Sequence, residues 1–229
     1  MKTDKETSTS PESAPPAVNE PISLTFDLTM IIAGLLIMVA ALKFYLNYQH
    51  LDDAILQYFS AERTPAATNW AFFFSWLGNG LALSAMAVIV SVVCLIKKFW
   101  QGALQATFSL CLASLGSAII KALLCRPRPQ AILFNPLVSE PYFSFPSGHT
   151  TSSSALVIAC LIIISRTRIK TLYKVLLSTL AVLMLIGIAW SRLYNAVHFP
   201  SDILAGLGLG IMANFAVQGL LKFETKISN

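Results

Sequence analysis

Long charge-free apolar stretches are the feature that most constrains how this chain can fold. Several windows exceed 18 residues without a charged side chain, and about 20 apolar residues in a helix cross the roughly 30 Å hydrocarbon core of a bilayer. Charged residues make up 12% of the 229-residue chain, against about 25% in soluble domains. Membrane β-barrels would show alternating segments of about 10 residues, which this sequence lacks. We therefore predict an all-α integral membrane protein.

Six segments have the length and composition of transmembrane helices. Their predicted bounds are 28–46, 70–96, 102–125, 147–164, 172–192 and 200–221. Between the first two, the apolar residues of a more polar segment recur at helical spacing: Leu51, Ile55, Leu56 and Phe59. That pattern favours a short helix lying at the membrane interface. The prediction is a six-transmembrane-helix bundle with a short interfacial helix between helices 1 and 2.

The chain starts with a polar segment, residues 1–24, that is rich in Ser, Thr, Pro and Glu. Such a composition contains too little apolar surface to build a core. The first apolar segment also begins too late for a cleaved signal peptide. We therefore predict a disordered tail over residues 1–24 and a single six-helix membrane domain over residues 25–229.

The basic residues indicate an orientation in the membrane. The net charge is +5, but the cations lie in short loops rather than in a patch with interleaved aromatics, which argues against nucleic-acid binding. If the N-terminus is cytoplasmic, that side carries ten Lys and Arg residues and the other side six. By the positive-inside rule both termini are then cytoplasmic, and the loops after helices 1, 3 and 5 face away from the cytoplasm.

The four cysteines give no sign of a zinc site or a disulfide framework. Cys94, Cys111 and Cys160 lie in apolar segments, where a free cysteine behaves as a small hydrophobe. None of the four belongs to a CxxC pair or has histidines at ligand spacing, as a structural metal site would require. The role of Cys125, beside a basic segment, stays open.

The first of three polar segments on the predicted outer side is KALLCRPRP, residues 121–129. Lys121 lies near a helix end, and the two prolines end that helix near Cys125. Arg128 then lies in an extended turn. Taken alone, these cations are better explained as a stop-transfer cluster whose long side chains extend into the lipid headgroups.

The second segment is PSGH, residues 146–149, at the start of predicted helix 4. Ser147 is a good N-cap residue, and Gly148 allows close approach to the free amides of the helix N-terminus, which attract anions. His149 alone would more often be an interfacial histidine than a catalytic one.

The third segment is SRLYNAVHFPSD, residues 191–202. Arg192 ends helix 5, and Pro200 suits the first position of helix 6, so that Asp202 falls in the first turn. A carboxylate there can hold one ring nitrogen of His198 and raise the basicity of the other. A helix cap with a neighbouring ring is the alternative.

The predicted topology brings these three segments to one side of the bundle. Lys121, Arg128 and Arg192 then supply three cations for a phosphate group, whose charge is about −1.5 to −2. His198 is a candidate nucleophile, and His149 is a candidate acid for the leaving group. These are the groups that phosphoryl transfer requires.

The same residues resemble the three-part signature of the type 2 phosphatidic acid phosphatase family, which vanadium haloperoxidases share. The matching positions are K-x6-RP at Lys121 and Arg128-Pro129, PSGH at residues 146–149, and SR-x5-H-x3-D at Ser191-Arg192, His198 and Asp202. The match covers residues 121–202, and residues 1–100 add no motif.

The resemblance implies a role for each matching residue. His198 would attack phosphorus and form a phosphohistidine, with Asp202 orienting it, and His149 would protonate the leaving oxygen and then activate water. The phosphate oxygens would be held by Lys121, Arg128, Ser147, Gly148 and Arg192. Because fixed cations take the place of a metal ion, the resemblance implies no metal and no cofactor.

We therefore predict a membrane phosphatase of a lipid phosphate or pyrophosphate, with undecaprenyl pyrophosphate as the favoured substrate. Phosphatidylglycerophosphate, phosphatidate and lipid A are alternatives, as is a phosphotransferase that passes phosphate to another lipid. A phospholipid-binding or transport protein is the non-enzymatic alternative. The small size and short loops favour the bacterial inner membrane, with the active site facing the periplasm. The sequence indicates no oligomeric state.

Overall fold

The computed structural model describes the backbone of residues 24–227 and the side chains of residues 24–130 and 133–222. Within residues 24–227 the chain forms helices and no strands. The helices are α1 (Leu24–Asn47), α2 (Gln49–Ala61), α3 (Pro65–Leu77), α4 (Gly80–Ile96), α5 (Trp100–Leu124), α6 (Ala131–Phe134), α7 (Gly148–Arg166), α8 (Thr171–Tyr194) and α9 (Pro200–Ile227). The predicted tail lies outside the described residues up to residue 23, and Leu24 is the first residue of α1.

The all-α prediction is confirmed, and within residues 24–227 five or six helical segments are long and apolar enough to cross a membrane. Long apolar helices that can cross a membrane are α1, α5, α7, α8 and the Pro200–Lys222 part of α9. A sixth span results if α3 and α4 are counted together. Helix α2 forms where the interfacial helix is expected, while its position at a membrane interface stays a prediction.

The predicted second span, 70–96, is not one straight helix. Helices α3 and α4 meet at an angle of 57°, because the side chain of Asn79 accepts a hydrogen bond from the amide of Ala82 (2.8 Å) and caps a new helix. Gly78 ends α3 against α8, where a Cβ would lie 2.6 Å from Cγ2 of Ile188 and 3.2 Å from Cδ2 of His149. The break therefore brings backbone close to a predicted catalytic residue.

Helices α7 and α9 contain many of the buried residues and lie against each other at the centre of the bundle. Small residues permit this close approach, as is common between membrane helices: a Cβ on Gly210 would overlap Oγ of Ser154, and one on Gly206 would lie 2.9 Å from the carbonyl of Ser147. The amide of Ser147 donates to the carbonyl of Asp202 (2.9 Å). The starts of α7 and α9, which carry the second and third polar segments, are thereby held side by side.

Only part of the apolar pattern of α2 packs against the bundle. Asp52 and Leu56 are buried, whereas Leu51 and Ile55 are exposed. Leu56 packs in a small apolar cluster with Phe134 and Phe199. One turn of α2 therefore presents a carboxylate, together with a leucine, to the interior.

Candidate active site

His198 lies in the loop between α8 and α9 and is buried. Its Nδ1 is 3.4 Å from Oδ2 of Asp202 and 3.3 Å from Oγ of Ser144, and its Nε2 is 3.2 Å from Nη1 of Arg128. Burial, followed by the positive charges of Arg128 and Arg192, holds the pKa of His198 well below its usual range. A neutral ring whose Nδ1 donates to Asp202 has its lone pair on Nε2, as a nucleophile requires.

Asp202 is fixed in the first turn of α9. Its Oδ2 accepts hydrogen bonds from Oγ of Ser144 and from the amide of Phe199 (2.9 Å). Its Oδ1 accepts from Nη1 of Arg126 at 2.7 Å. The carboxylate is completely buried, so these donors replace water and hold it in one orientation beside His198.

The side chains of Lys121 and Arg128 form hydrogen bonds with the loop that precedes α7. Nζ of Lys121 donates to the carbonyls of Phe143 (2.7 Å) and Ser144 (3.2 Å). Arg128 donates to three carbonyls, those of Pro141 (3.1 Å), Tyr142 (3.1 Å) and Val197 (2.8 Å). Both cations line the same cavity as His198, and their hydrogen bonds hold the surrounding chain in place.

Buried Arg192 and half-buried Glu140 form an ion pair beside His149. Arg192 has no exposed surface; its Nη1 donates to Oγ of Ser75 (2.5 Å) and its Nη2 to Oε1 of Glu140. The carboxylate of Glu140 also lies 3.8 Å from Nη2 of Arg128 and 4.0 Å from Nε2 of His149. An anionic group thus already lies among three of the residues predicted to bind phosphate or to act as the acid.

The charge of Glu140 follows from its neighbours. Burial by itself would raise the pKa of Glu140, but the charge of Arg192, with a further contribution from Arg128, outweighs it and holds the pKa below its usual range. Glu140 is therefore an anion at neutral pH, and a phosphate that enters the site must share the cations with it.

The start of α7 has the predicted N-cap. The side chain of Ser147 accepts hydrogen bonds from the amide (3.5 Å) and the hydroxyl (3.1 Å) of Thr150. Ser147 is buried and does not line a described cavity, so its hydroxyl serves the helix. Gly148 and His149 line two cavities. Of the PSGH segment, these two residues face the space that a substrate can enter.

Two adjoining cavities meet at Gly148 and His149. The first cavity has a volume of about 450 Å³, and its polar and charged lining residues are Lys121, Arg128, Glu140, Tyr142, His149 and His198. The second cavity has a volume of about 290 Å³ and shares Ala118, Lys121, Gly148 and His149 with the first. Arg192 contacts Glu140 and does not itself line either cavity.

Two buried charged residues near the site, Arg126 and Asp52, were not identified from the sequence. Nη2 of Arg126 donates to Asp52 of α2 at 2.9 Å while its Nη1 donates to Asp202. The guanidinium also lies 4.0 Å from the centre of the Tyr45 ring and 4.2 Å from that of Phe199. Both contacts of Arg126 join segments that are distant in the sequence, so no local pattern indicates them.

The eight predicted site residues all lie at one end of the bundle. Lys121, Arg128, Gly148, His149 and His198 line the first cavity. Asp202 and Arg192 do not line this cavity, but Asp202 contacts His198 and Arg192 contacts Glu140, which do. Over the described residues, no group of three or more His, Cys, Asp and Glu side chains has an arrangement that holds a metal ion.

Comparison with known proteins decides the family. The model of the PAP2 superfamily matches residues 102–223, which include every predicted site residue. This chain belongs to the PAP2 superfamily. It is therefore a phosphatase embedded in a membrane, with a lipid phosphate as its class of substrate, and the predicted family is confirmed.

Individual PAP2 relatives cover most of the chain. Phosphatidylglycerophosphatase B of Bacillus subtilis is 29% identical over 182 residues, which are 78% of this chain and 86% of the relative. The crystal structure of a transmembrane PAP2-type phosphatidylglycerolphosphate phosphatase from Bacillus subtilis has a TM-score of 0.73 at 26% identity, covering 88% of this chain and 96% of that one. LpxE of Aquifex aeolicus shares the fold, with a TM-score of 0.60 at 21% identity over 72% of this chain and 93% of its own.

Proposed function

We propose that this PAP2 phosphatase hydrolyses a lipid phosphate monoester through a phosphohistidine on His198. The observation that carries the proposal is the setting of His198, whose Nδ1 faces Asp202 at 3.4 Å while the ring borders the cationic cavity. A neutral imidazole held by a carboxylate is a competent nucleophile. The neighbouring cations stabilise the charge that builds on the phosphoryl oxygens.

The reaction has two steps. Nε2 of His198 attacks phosphorus, the bond from phosphorus to the leaving oxygen breaks, and His149 gives its proton to that oxygen. His149 then takes a proton from a water molecule, whose oxygen attacks the phosphohistidine and releases inorganic phosphate. The two histidines border the same cavity, which allows one to act as nucleophile and the other as acid and then base.

The phosphate ligands in this proposal are the predicted ones. Lys121 and Arg128 border the cavity, and the amide of Gly148 belongs to the first turn of α7, where amides lack partners within the helix. Arg192 reaches phosphate when Glu140 releases it, and its buried Nε has no hydrogen-bond partner among the described residues. Ser147 contributes by capping α7 and so orienting the Gly148 amide.

The favoured substrate is phosphatidylglycerophosphate. Both the curated relative and the solved structure from Bacillus subtilis that match most of this chain have that activity in their names. In addition, one cluster of cations suits one phosphate group. Undecaprenyl pyrophosphate, the substrate favoured from sequence, stays a competitor, together with phosphatidate, lipid A and transfer of phosphate to an acceptor lipid.

The site is proposed to face the periplasm of a bacterial inner membrane, with both termini cytoplasmic. The excess of Lys and Arg in the loops opposite the site supports this orientation. A reporter domain fused to the C-terminus and probed with a membrane-impermeant reagent tests it, because only permeabilised cells should react.

The test of function is phosphate release by purified protein in detergent, with a chelator present. The panel contains phosphatidylglycerophosphate, phosphatidate, undecaprenyl pyrophosphate and lipid A, each assayed with wild type, His198→Ala and the control His50→Ala. His50 is exposed in α2, away from the cavity. Release by wild type and His50→Ala but not by His198→Ala supports the proposal. Equal release by all three refutes it.

A further inference from the structure

The second cavity adjoins the first at Gly148 and His149, and His198 is not part of its lining. Its lining includes Ser114, Ser117 and Ser152, together with Gly78 and Gly80 from the break between α3 and α4. We propose that it binds the leaving group of the substrate and recognises a free hydroxyl close to the leaving oxygen. This inference rests on the proposed phosphohistidine mechanism.

The position of the two histidines leads to this assignment. In an in-line displacement, the nucleophile and the leaving oxygen lie on opposite sides of phosphorus. His198 borders only the first cavity, whereas His149, which protonates the leaving oxygen, borders both. A phosphoryl group held between them therefore directs its leaving group past His149 and into the second cavity.

Ser117 gives the second cavity a group that is ready to bind a ligand. Its side chain is 3% exposed, and its Oγ has no hydrogen-bond partner among the described residues. A Cβ on Gly148 would lie 3.8 Å from this Oγ and 3.9 Å from Cε of Lys121, so the hydroxyl is beside the phosphate-binding turn. A buried hydroxyl without a partner is unfavourable unless a ligand or water supplies one.

The lining also defines the chemistry of the ligand. Ser114 and Ser152 share a hydrogen bond of 3.0 Å between their hydroxyls, and hydroxyls both donate and accept. Among the described lining residues, Lys121 is the one fixed cation, and the first cavity shares it. A second phosphate bonded directly to the first, as in a pyrophosphate, would lack a cation of its own there. The cavity therefore suits a leaving alcohol that has an uncharged hydroxyl, rather than a phosphate, next to the leaving oxygen, as the terminal glycerol of phosphatidylglycerophosphate has.

The test compares two lipids with the same phosphate group and different leaving groups. Hydrolysis of short-chain phosphatidylglycerophosphate releases phosphatidylglycerol, whose terminal glycerol has a free hydroxyl on the carbon next to the leaving oxygen. In short-chain phosphatidate that carbon carries an acyl ester. Ser117→Ala should reduce kcat/KM for the first lipid about fivefold to tenfold more than for the second, which corresponds to one hydrogen bond. Ser117→Thr, which keeps the hydroxyl, should restore the ratio.

Ser165→Ala is the matched control, because its hydroxyl donates to the carbonyl of Ile162 (2.7 Å) within α7; its ratio should equal that of wild type. An unchanged ratio in Ser117→Ala would overturn the proposed site, as would faster hydrolysis of undecaprenyl pyrophosphate than of phosphatidylglycerophosphate by wild type. Absence of phosphate release by wild type from every lipid would instead overturn the proposed function, and the two failures are thus distinguishable.

Discussion

Removing the carboxylate of Asp52 should weaken both the fold and catalysis, although this residue lies on α2 and does not border the first cavity. Asp52 accepts hydrogen bonds from Nη2 of Arg126 (2.9 Å), from the amide of Ser201 (3.0 Å) and from the hydroxyl of Ser201. All three residues are buried. Asp52→Ala therefore leaves buried donors without an acceptor and Arg126 with one carboxylate instead of two.

The size of the effect follows from that geometry. Removing one partner of a buried ion pair costs about 3–5 kcal/mol, so Asp52→Ala should lower the free energy of unfolding by that amount. Asp52→Asn keeps an acceptor for the amide of Ser201 and loses mainly the charged hydrogen bond, worth about 1.5–3 kcal/mol. Because Arg126 also holds Asp202 at 2.7 Å, kcat should fall with stability, and KM should change less.

Unfolding in mixed detergent and SDS micelles gives the free energies, and phosphate release from phosphatidylglycerophosphate gives kcat and KM. The matched control is Asp53→Ala, which removes the same charge from the neighbouring, half-buried position. A loss below about 1 kcal/mol in Asp52→Ala would contradict the stability argument. An unchanged kcat in a folded Asp52→Asn would show that Arg126 does not transmit the change to Asp202.

Three further predictions concern the site itself. Arg192→Lys should reduce kcat/KM about 10²-fold to 10³-fold. The reason is that one ammonium group cannot replace the planar guanidinium, which contacts both Ser75 and Glu140. Steady-state kinetics measures this loss, and a loss below tenfold would contradict the prediction. Glu140→Gln should lower the inhibition constant of inorganic phosphate, because the anion that competes for Arg192 is gone; a higher constant would mean that Glu140 instead orients Arg192 for phosphate. The pKa of His198 is held well below its usual range by burial and by nearby cations, so the unfolded chain binds a proton that the folded chain excludes, and stability falls as pH drops below about 6.5. Thermal unfolding should show wild type losing stability relative to His198→Gln from pH 7 to pH 5, and parallel curves would refute this.

Much of the site was predictable because its residues lie in short motifs at helix ends. Pro200 at the start of α9 and Asp202 in its first turn place a carboxylate four residues from His198, and that local geometry is visible in sequence. Hydropathy and chain order also indicate that the starts of α7 and α9 lie on the same side of the membrane, which is the condition for the contact between Ser147 and Asp202.

The parts that sequence reasoning missed depend on contacts between distant segments. Asp52 and Arg126 are 74 residues apart, and nothing local to α2 indicates that its polar residue, rather than Leu51 or Ile55, faces inward. The bend at Gly78–Asn79 lies within a charge-free stretch, where hydropathy favours a continuous helix and the N-cap of Asn79 is easily overlooked. Glu140 sits in a loop whose path is set by Lys121 and Arg128, so its place among the cations was not predictable.

The most direct test of the proposed mechanism is detection of phosphate on His198. The measurement uses His149→Ala, which lacks the base for the second step, with an aryl phosphate whose leaving group needs no proton, followed by rapid quenching at high pH and mass spectrometry. The mechanism predicts a phosphorylated His198 that accumulates in His149→Ala and is absent from His198→Ala. Turnover in His198→Ala above a few per cent of wild type, or phosphate on another residue, would contradict it.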